Sequence, residues 1–373
     1  MFNFGRENTG IIAKWWRNVD KQIFFLFIFL FFLGLFFSFS STSYVVAEKM
    51  NKETYFFFVK HLIFVFISLF LIVLISVYEK EKIIKLLLPL FIISIVFLFL
   101  VPIIGVEVKG SKRWIDILFL PRIQPIELLK PFLIIVISLA LTLEEYRNKY
   151  LSYILSLFVI CPVILFLIMQ PDIGQSILIL LTWLVLIFVS GINLFIFFSF
   201  FFVLIGSTSY LIFFIPKFEY IKLRIFSFLD PSNGNNYQSE KASEAIIGGG
   251  FFGKGVGEGT LNSRIPEAHT DYIVSVISEE FGIMLVIAII LIFIFFAFQV
   301  IKKISIEKDS KIKLTLMGLV SLLIIQTFVH VGVNIRILPT TGMTLPFLSY
   351  GGSSIISNSI LAGIILNLTR RKV

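Results

Sequence analysis

The side chains best suited to chemistry in this 373-residue chain stand in four short polar blocks. One begins Arg264-Ile-Pro-Glu-Ala-His269-Thr-Asp271-Tyr and runs on to Gly282. Asp271 stands where this loop enters an expected helix. At helical spacing Asp271, Ser275, Glu279 and Gly282 share one face. A carboxylate at membrane depth is costly and usually functional. An N-cap or first-turn acid favoured by the helix dipole is the other reading of the same position. A second block spans 109–130 and holds Lys112, Arg113 and Trp114, then Glu127 and Lys130. Glu127 and Lys130 are three apart and can pair on a helical face. Lys112 and Arg113 beside a tryptophan suit either interfacial anchoring or the phosphates of an anionic lipid. Two further loops, 170–176 and 338–354, are polar without carrying much charge; the second includes Ser349 and Tyr350. Irregular backbone near a membrane must be buried in protein or line a polar cavity.

The elements that must position these blocks are membrane helices. Hydrophobic residues make up 58% of the chain and charged residues only 15%, with 45 phenylalanines. A soluble core could not hide that much apolar side chain. A soluble enzyme, a disordered chain and a disulfide scaffold are therefore excluded, the last because Cys161 is the single cysteine. Three histidines, His61, His269 and His330, are too scattered in sequence for a histidine metal cluster. The net charge of +9 could suggest nucleic acid, but the basic residues sit mostly between apolar runs, so no nucleic-acid partner is expected.

Hydropathy gives ten candidate spans, near 23–42, 54–78, 83–104, 124–143, 151–169, 175–190, 193–215, 272–301, 312–337 and 354–369. The expected fold is all-α and polytopic, a single membrane domain over 1–373 with ten transmembrane helices and both termini cytoplasmic. This arrangement puts 17 of the 32 Lys and Arg residues on the inner side. It leaves one large extracytoplasmic loop, 216–271, and brings all four polar blocks to the outer face. That loop contains an amphipathic stretch from Lys217, turn formers from Asp230, and a glycine run from Gly248 to Gly259. The glycine run lacks the strand of a dinucleotide fold and has Gly255 where a P-loop needs Ser or Thr. A closely packed, bent connector or the wall of a sugar or phosphate cleft are the readings that survive.

Taken together, "SKRWI", "QPIELLK", "QPDIGQS", "FLDP", "GGGFFGKGVGEG", "IPEAHTDYIVSVISEEFG" and "LPTTGMTLPFLSYGGSS" resemble the SEDS family of shape, elongation, division and sporulation proteins. The resemblance runs from about Lys109 to Leu368, and its wording is closer to the division branch than to the elongation branch. Departures include Ile126 where Ser is usual, His330 where Asn is usual, Thr341 where Lys is common, and Arg336 where a small residue is common.

The resemblance implies a SEDS fold and an inverting peptidoglycan glycosyltransferase acting at the outer face of the bacterial cytoplasmic (inner) membrane, at the division septum. Its substrate would be lipid II and its catalytic residue Asp271. Trp114, Lys112, Arg113, Glu127, Lys130, Arg264, His269, Ser349 and Tyr350 become the candidate substrate-binding residues. It leaves a divalent cation, Mg or Mn, open and implies no organic cofactor. The implied partners are a class B penicillin-binding protein transpeptidase and other divisome membrane proteins. A lipid II flippase and a non-catalytic division scaffold are the competing readings.

Overall fold

The computed structural model describes residues 10–42, 55–108, 111–116, 121–143, 149–230, 237–261 and 264–371. Lys109 of the second polar block, the turn cluster at 231–236, and the inner-side residues Arg6, Arg147 and Lys372 lie outside the described residues.

An amphipathic helix α1 (Ile11–Asn18) leads into α2 (Lys21–Phe37), whose N-cap Asp20 accepts bonds from the Gln22 and Ile23 amides at 3.0 and 3.2 Å. Then come α3 (Phe56–Val77) and α4 (Lys80–Ile104). A two-stranded antiparallel hairpin follows, β1 (Val106–Val108) with β2 (Ser111–Trp114), and pairs Val106 with Trp114 and Glu107 with Lys112. The chain continues through α5 (Pro125–Leu141), α6 (Lys149–Met169), α7 (Ile173–Val189) and α8 (Leu194–Phe214). After α9 (Glu219–Leu229) and α10 (Tyr237–Gly249) come α11 (Ile273–Phe281), α12 (Ile283–Ile306), α13 (Ser310–Asn334) and α14 (Gly352–Thr369).

Eight of these helices are long and apolar enough to cross a bilayer. The expected count of ten is not reached on that measure, because α5 and α7 have only 17 residues each. At 1.5 Å per residue such a helix covers about 26 Å, slightly less than the hydrocarbon thickness. The expected span at 272–301 is also corrected. It breaks at Gly282, where φ is +86°, so α11 is a separate short helix and the long one starts at Ile283.

Aromatic interlocking accounts for much of the phenylalanine. Phe27 packs against Phe296 and Phe347 with centroids 5.0 and 5.4 Å apart, and Phe31 meets Phe347 at 5.1 Å. The 338–351 loop is thereby anchored between α2 and α12. Phe347 is held at φ +66°, a conformation bulky residues rarely adopt, by this packing. Gly34 makes the approach possible, since a Cβ there would collide with the Phe347 carbonyl oxygen. Helix α14, rich in Ser, Asn and Gly, is buried nearly all round. A Cβ on Gly352 would strike the Phe64 ring, and one on Gly363 would crowd Ile75, so small residues let α14 lie against α3.

The two ends of the bundle differ. At one end α1, the end of α3 and the end of α14 clasp one another: Trp15 Nε1 donates to Ser76 Oγ at 2.9 Å, and the Arg371 amide to the Asn18 carbonyl at 3.1 Å. Both ends of the described chain therefore lie on one face. The Lys303–Asp20 ion pair, 2.6 Å, closes the same face. The hairpin, the α6–α7 turn, Asp271 and the 338–351 loop occupy the opposite end.

Candidate functional site

Asp271 does not begin a regular helix. It sits in a tight turn whose amides at Asp271 and Tyr272 both bond the Glu267 carbonyl, at 3.1 and 3.2 Å, and α11 starts two residues later. Ser275 and Glu279 of the expected shared face are buried, but they serve different partners. Ser275 donates through its amide and hydroxyl to Asn334 Oδ1, at 3.1 and 2.8 Å. The other end of that amide, Asn334 Nδ2, donates to the Asp271 carbonyl at 3.0 Å and the His330 carbonyl at 2.9 Å. Asn334 thus ties the last turn of α13 to the backbone of Asp271 and leaves the carboxylate outside the bond. Gly342, at φ +69°, lies beside that carboxylate; a Cβ there would be 3.7 Å from Oδ2.

The 338–351 loop forms the facing wall. Ser349 Oγ donates to the Thr270 carbonyl at 2.7 Å and accepts from the Leu345 amide at 2.8 Å. The Tyr350 amide donates to the His269 carbonyl at 3.0 Å. The Tyr350 ring meets His269 at 5.7 Å, Phe57 at 5.7 Å and His61 at 5.9 Å. Two of the histidines that look scattered in sequence are therefore gathered around one tyrosine. Burial pushes the Tyr350 phenol above its ordinary value. Burial and then the neighbouring Asp271 carboxylate do the same to Tyr272, which keeps it neutral. His330 Nδ1 bonds the Met343 carbonyl at 2.7 Å and pins the loop from the helix side.

Beneath this wall lies a buried polar network. Lys130 Nζ is 2.9 Å from both Glu127 oxygens and 3.1 Å from Gln326 Oε1. Gln175 Nε2 donates to Glu127 Oε1 at 2.6 Å, and Gln326 Nε2 donates to the Thr344 carbonyl at 2.9 Å. Helices α5, α7 and α13 and the 338–351 loop are thereby fastened together. Glu127 and Lys130 are nearly inaccessible, and the pair reaches the loop above it through Gln326.

Arg113 stands on β2 facing the α6–α7 turn. Its Nε donates to the Gln170 carbonyl at 3.3 Å, its guanidinium also reaches the Pro171 carbonyl, and Asp172 lies 3.8 Å away. Asp172 caps α7 and accepts from Gln124 Nε2 at 3.1 Å. Burial raises the Asp172 carboxyl, and Arg113 opposes that rise. Arg113 is thus committed to holding the turn. Arg113→Gln should cost about 1.5–3 kcal/mol of stability, since charge-assisted bonds to two carbonyls are lost. Arg113→Lys should recover only part, because an ammonium cannot reproduce the fork. Thermal unfolding of the three proteins in detergent checks this; equal midpoints for wild type and Arg113→Gln would refute it.

Trp114 is half-buried on the same strand, whereas Lys112 and Arg264 are exposed. The structure gathers Asp271, His269, Ser349 and Tyr350, sets the Glu127–Lys130 pair below them, and leaves Lys112 and Arg264 at the surface. Sequence reasoning passed over Asn334, Gln326, Gln175 and Gln124 as site residues. Their available signal was polarity within or beside an apolar helix.

The glycine run proves to be a packed connector. Glu279, fully buried, accepts at Oε1 from Lys254 Nζ at 2.8 Å and from the Thr260 and Leu261 amides at 3.0 and 3.1 Å. The Lys254 amide donates to the Glu279 carbonyl at 2.9 Å. A Cβ on Gly249 or Gly253 would overlap the α11 backbone, and Gly253 is also at φ +80°. Gly253→Ala should therefore abolish most folded yield. Gly257→Ala, at φ +75° in open space, should cost only about 1–3 kcal/mol of backbone strain. Size-exclusion profiles of the two variants check the contrast, and equal yields would refute it.

Among the described residues no three His, Cys, Asp or Glu side chains gather into a metal-holding group.

A bundle of long apolar helices with a polar site at one end defines a multi-pass membrane protein. The sequence profile of the family described as "Cell cycle protein" (FTSW_RODA_SPOVE) matches residues 20–373, and the chain belongs to this FtsW, RodA and SpoVE family. A relative from Wigglesworthia glossinidia brevipalpis, called a probable peptidoglycan glycosyltransferase FtsW, is 36% identical over 352 residues, covering 91% of this chain and 90% of the relative. One from Caulobacter vibrioides with the same description is 29% identical over 377 residues, covering 99% and 94%. Among solved structures, a chain from work on coordination of polymerization and crosslinking by a peptidoglycan synthase complex superposes with a TM-score of 0.76, at 24% identity, covering 94% of this chain and 97% of that one. The rod shape determining protein RodA of Thermus thermophilus gives 0.69 at 22% identity, covering 95% and 97%. These likenesses establish the SEDS fold.

Proposed function

We propose that this chain is a peptidoglycan glycosyltransferase that polymerises lipid II into glycan strands at the outer face of the cytoplasmic membrane during cell division. The observation carrying this reading is Asp271: its backbone is fixed by Asn334, and its carboxylate stands beside Gly342 and the wall bearing Tyr350. A sugar hydroxyl is a weak nucleophile, and a carboxylate within hydrogen-bond reach makes it a better one. In the proposed reaction the 4-hydroxyl of an acceptor GlcNAc attacks the anomeric carbon of the donor MurNAc. The new glycosidic bond forms as the bond to undecaprenyl diphosphate breaks. Asp271 takes the hydroxyl proton, and the diphosphate leaves with the bonding pair on the opposite face, which inverts the anomeric centre. A diphosphate leaves as a stable anion and calls for positive charge more than for a proton. Lys112 and Arg264, both exposed, are the candidate side chains to supply that charge. Trp114, His269, Ser349 and Tyr350 shape the cleft, while Arg113, Glu127 and Lys130 hold its floor.

The relatives' descriptions support the reaction class, and the likeness to a chain of a synthase complex supports a partner protein. The partner we propose is a class B penicillin-binding protein transpeptidase, working with other divisome membrane proteins at the septum. Purified protein incubated with lipid II, with and without that transpeptidase, followed by gel separation of glycan products, tests the reading. A ladder of polymer is the expected result. Transfer of lipid II between leaflets without any polymer would overturn it in favour of a flippase.

A further inference from the structure

The glycine run leaves one feature that neither the site nor its packing on α11 uses. Its tip carries Phe251 and Phe252, 69% and 86% exposed; Ile247 on the last turn of α10 just before it is 77% exposed, and Val256 further along the run 58%. Four large exposed apolar side chains within residues 247–256 are not scattered surface residues, and such a stretch marks an interaction site.

The depth of the tip follows from α12. The Ile283 amide donates to the Gly250 carbonyl at 3.0 Å, and the Met284 amide to the Phe251 carbonyl at 3.4 Å. The tip is therefore bonded to the first residues of a 24-residue spanning helix. At the other end of α12, Lys302 is exposed and Lys303 pairs with Asp20, which marks the opposite interface. A hydrocarbon core of about 30 Å holds about 20 helical residues. Counted from Lys302, those residues reach the level of Gly282 and Ile283. The tip thus lies at the outer hydrocarbon boundary. Below the tip, Met284, Ile287 and Leu291 at helical spacing form an exposed apolar flank of α12, and the Met284 amide is the one bonded to Phe251.

The backbone of the tip is also prepared for an apolar setting. The Gly250 and Phe251 carbonyls are taken by α12, and the amides of Gly253, Lys254 and Gly255 bond the carbonyls of Gly249, Glu279 and Glu280 at 2.8, 2.9 and 3.0 Å. The Lys254 ammonium is turned back onto buried Glu279. These two carbonyls and three amides meet an apolar setting with their hydrogen bonds already made. We infer that the Phe251–Phe252 tip is a membrane anchor seated in the outer leaflet, with lipid as its occupant. Through Glu279 it fixes the depth of α11, and so of Asp271, relative to the bilayer surface.

The test uses the full chain alone in phospholipid nanodiscs, with Cys161 replaced by Ser and a nitroxide on Phe252→Cys. Power saturation compares accessibility to oxygen, which partitions into lipid, with accessibility to a water-soluble nickel chelate. The oxygen-to-nickel ratio at position 252 should exceed that at Glu258→Cys, on the same loop, by about fivefold and approach that at Leu291→Cys on the exposed flank of α12. Val256→Cys gives a second reading of the same patch should Phe252→Cys fold poorly. A ratio at 252 and 256 equal to that at Glu258 would overturn the inference and mark the tip as a water-exposed surface suited to a protein partner.

Discussion

Asp271→Asn is expected to lower glycan synthesis by about 10²–10⁴-fold, the usual contribution of a positioned general base. The amide keeps the shape of the carboxylate but cannot take the acceptor proton. Expression and thermal stability should stay near wild type for a structural reason. The bond from Asn334 Nδ2 goes to the Asp271 carbonyl and not to its side chain, and the Asp271 amide is held by Glu267. Exchange of the side-chain oxygen therefore leaves both restraints in place. Lipid II polymerisation read on gels, beside thermal unfolding in detergent, separates the two effects. Polymer yield within a few-fold of wild type would remove Asp271 from the reaction, and a collapsed midpoint would mean that the side chain is structural.

The second large effect concerns the buried pair. Lys130→Met should destabilise the protein by about 3–5 kcal/mol, because Glu127 would be left as an uncompensated charge in a low-dielectric interior. Glu127 is 3% exposed, and its carboxylate would keep the bond from the neutral Gln175 amide but no counter-ion. The double variant Glu127→Gln, Lys130→Met should recover much of the loss, since a neutral amide needs no counter-ion. Activity should follow the loop: Gln326, which receives Lys130, also donates to the Thr344 carbonyl at the root of the wall that carries Ser349 and Tyr350. Thermal unfolding in detergent of the two single variants and the double decides the matter. Additive losses, with no recovery in the double, would show that the charges do not act as a pair.

Several elements were readable from the residues alone, for reasons of local physics. Apolar runs of helical length can settle only in a bilayer, which makes the chain polytopic whatever its tertiary contacts. Glu127 and Lys130 meet because they are three residues apart on one helix, and their pairing at 2.9 Å follows from helical geometry. The prominence of Asp271 follows from a carboxylate set between polar loop and apolar helix. Tertiary structure decided what depends on residues far apart in sequence. Spacing put Asp271 on the same helical face as Ser275 and Glu279. The positive φ of Gly282 and the bonds to Glu267 instead set it in a turn and divide the expected span in two. Arg113 could have faced lipid phosphate; the fold turns it onto carbonyls 57 and 58 residues away. Asn334 reads as one polar residue among many, and its role exists only because α13 ends beside the Asp271 turn. Periodicity reports which face of a helix is buried. Which polar groups meet inside is set by packing, and here that packing rests on Gly34, Gly249 and Gly253, whose missing Cβ atoms let backbones approach to contact, and on Gly352, which leaves room for the Phe64 ring.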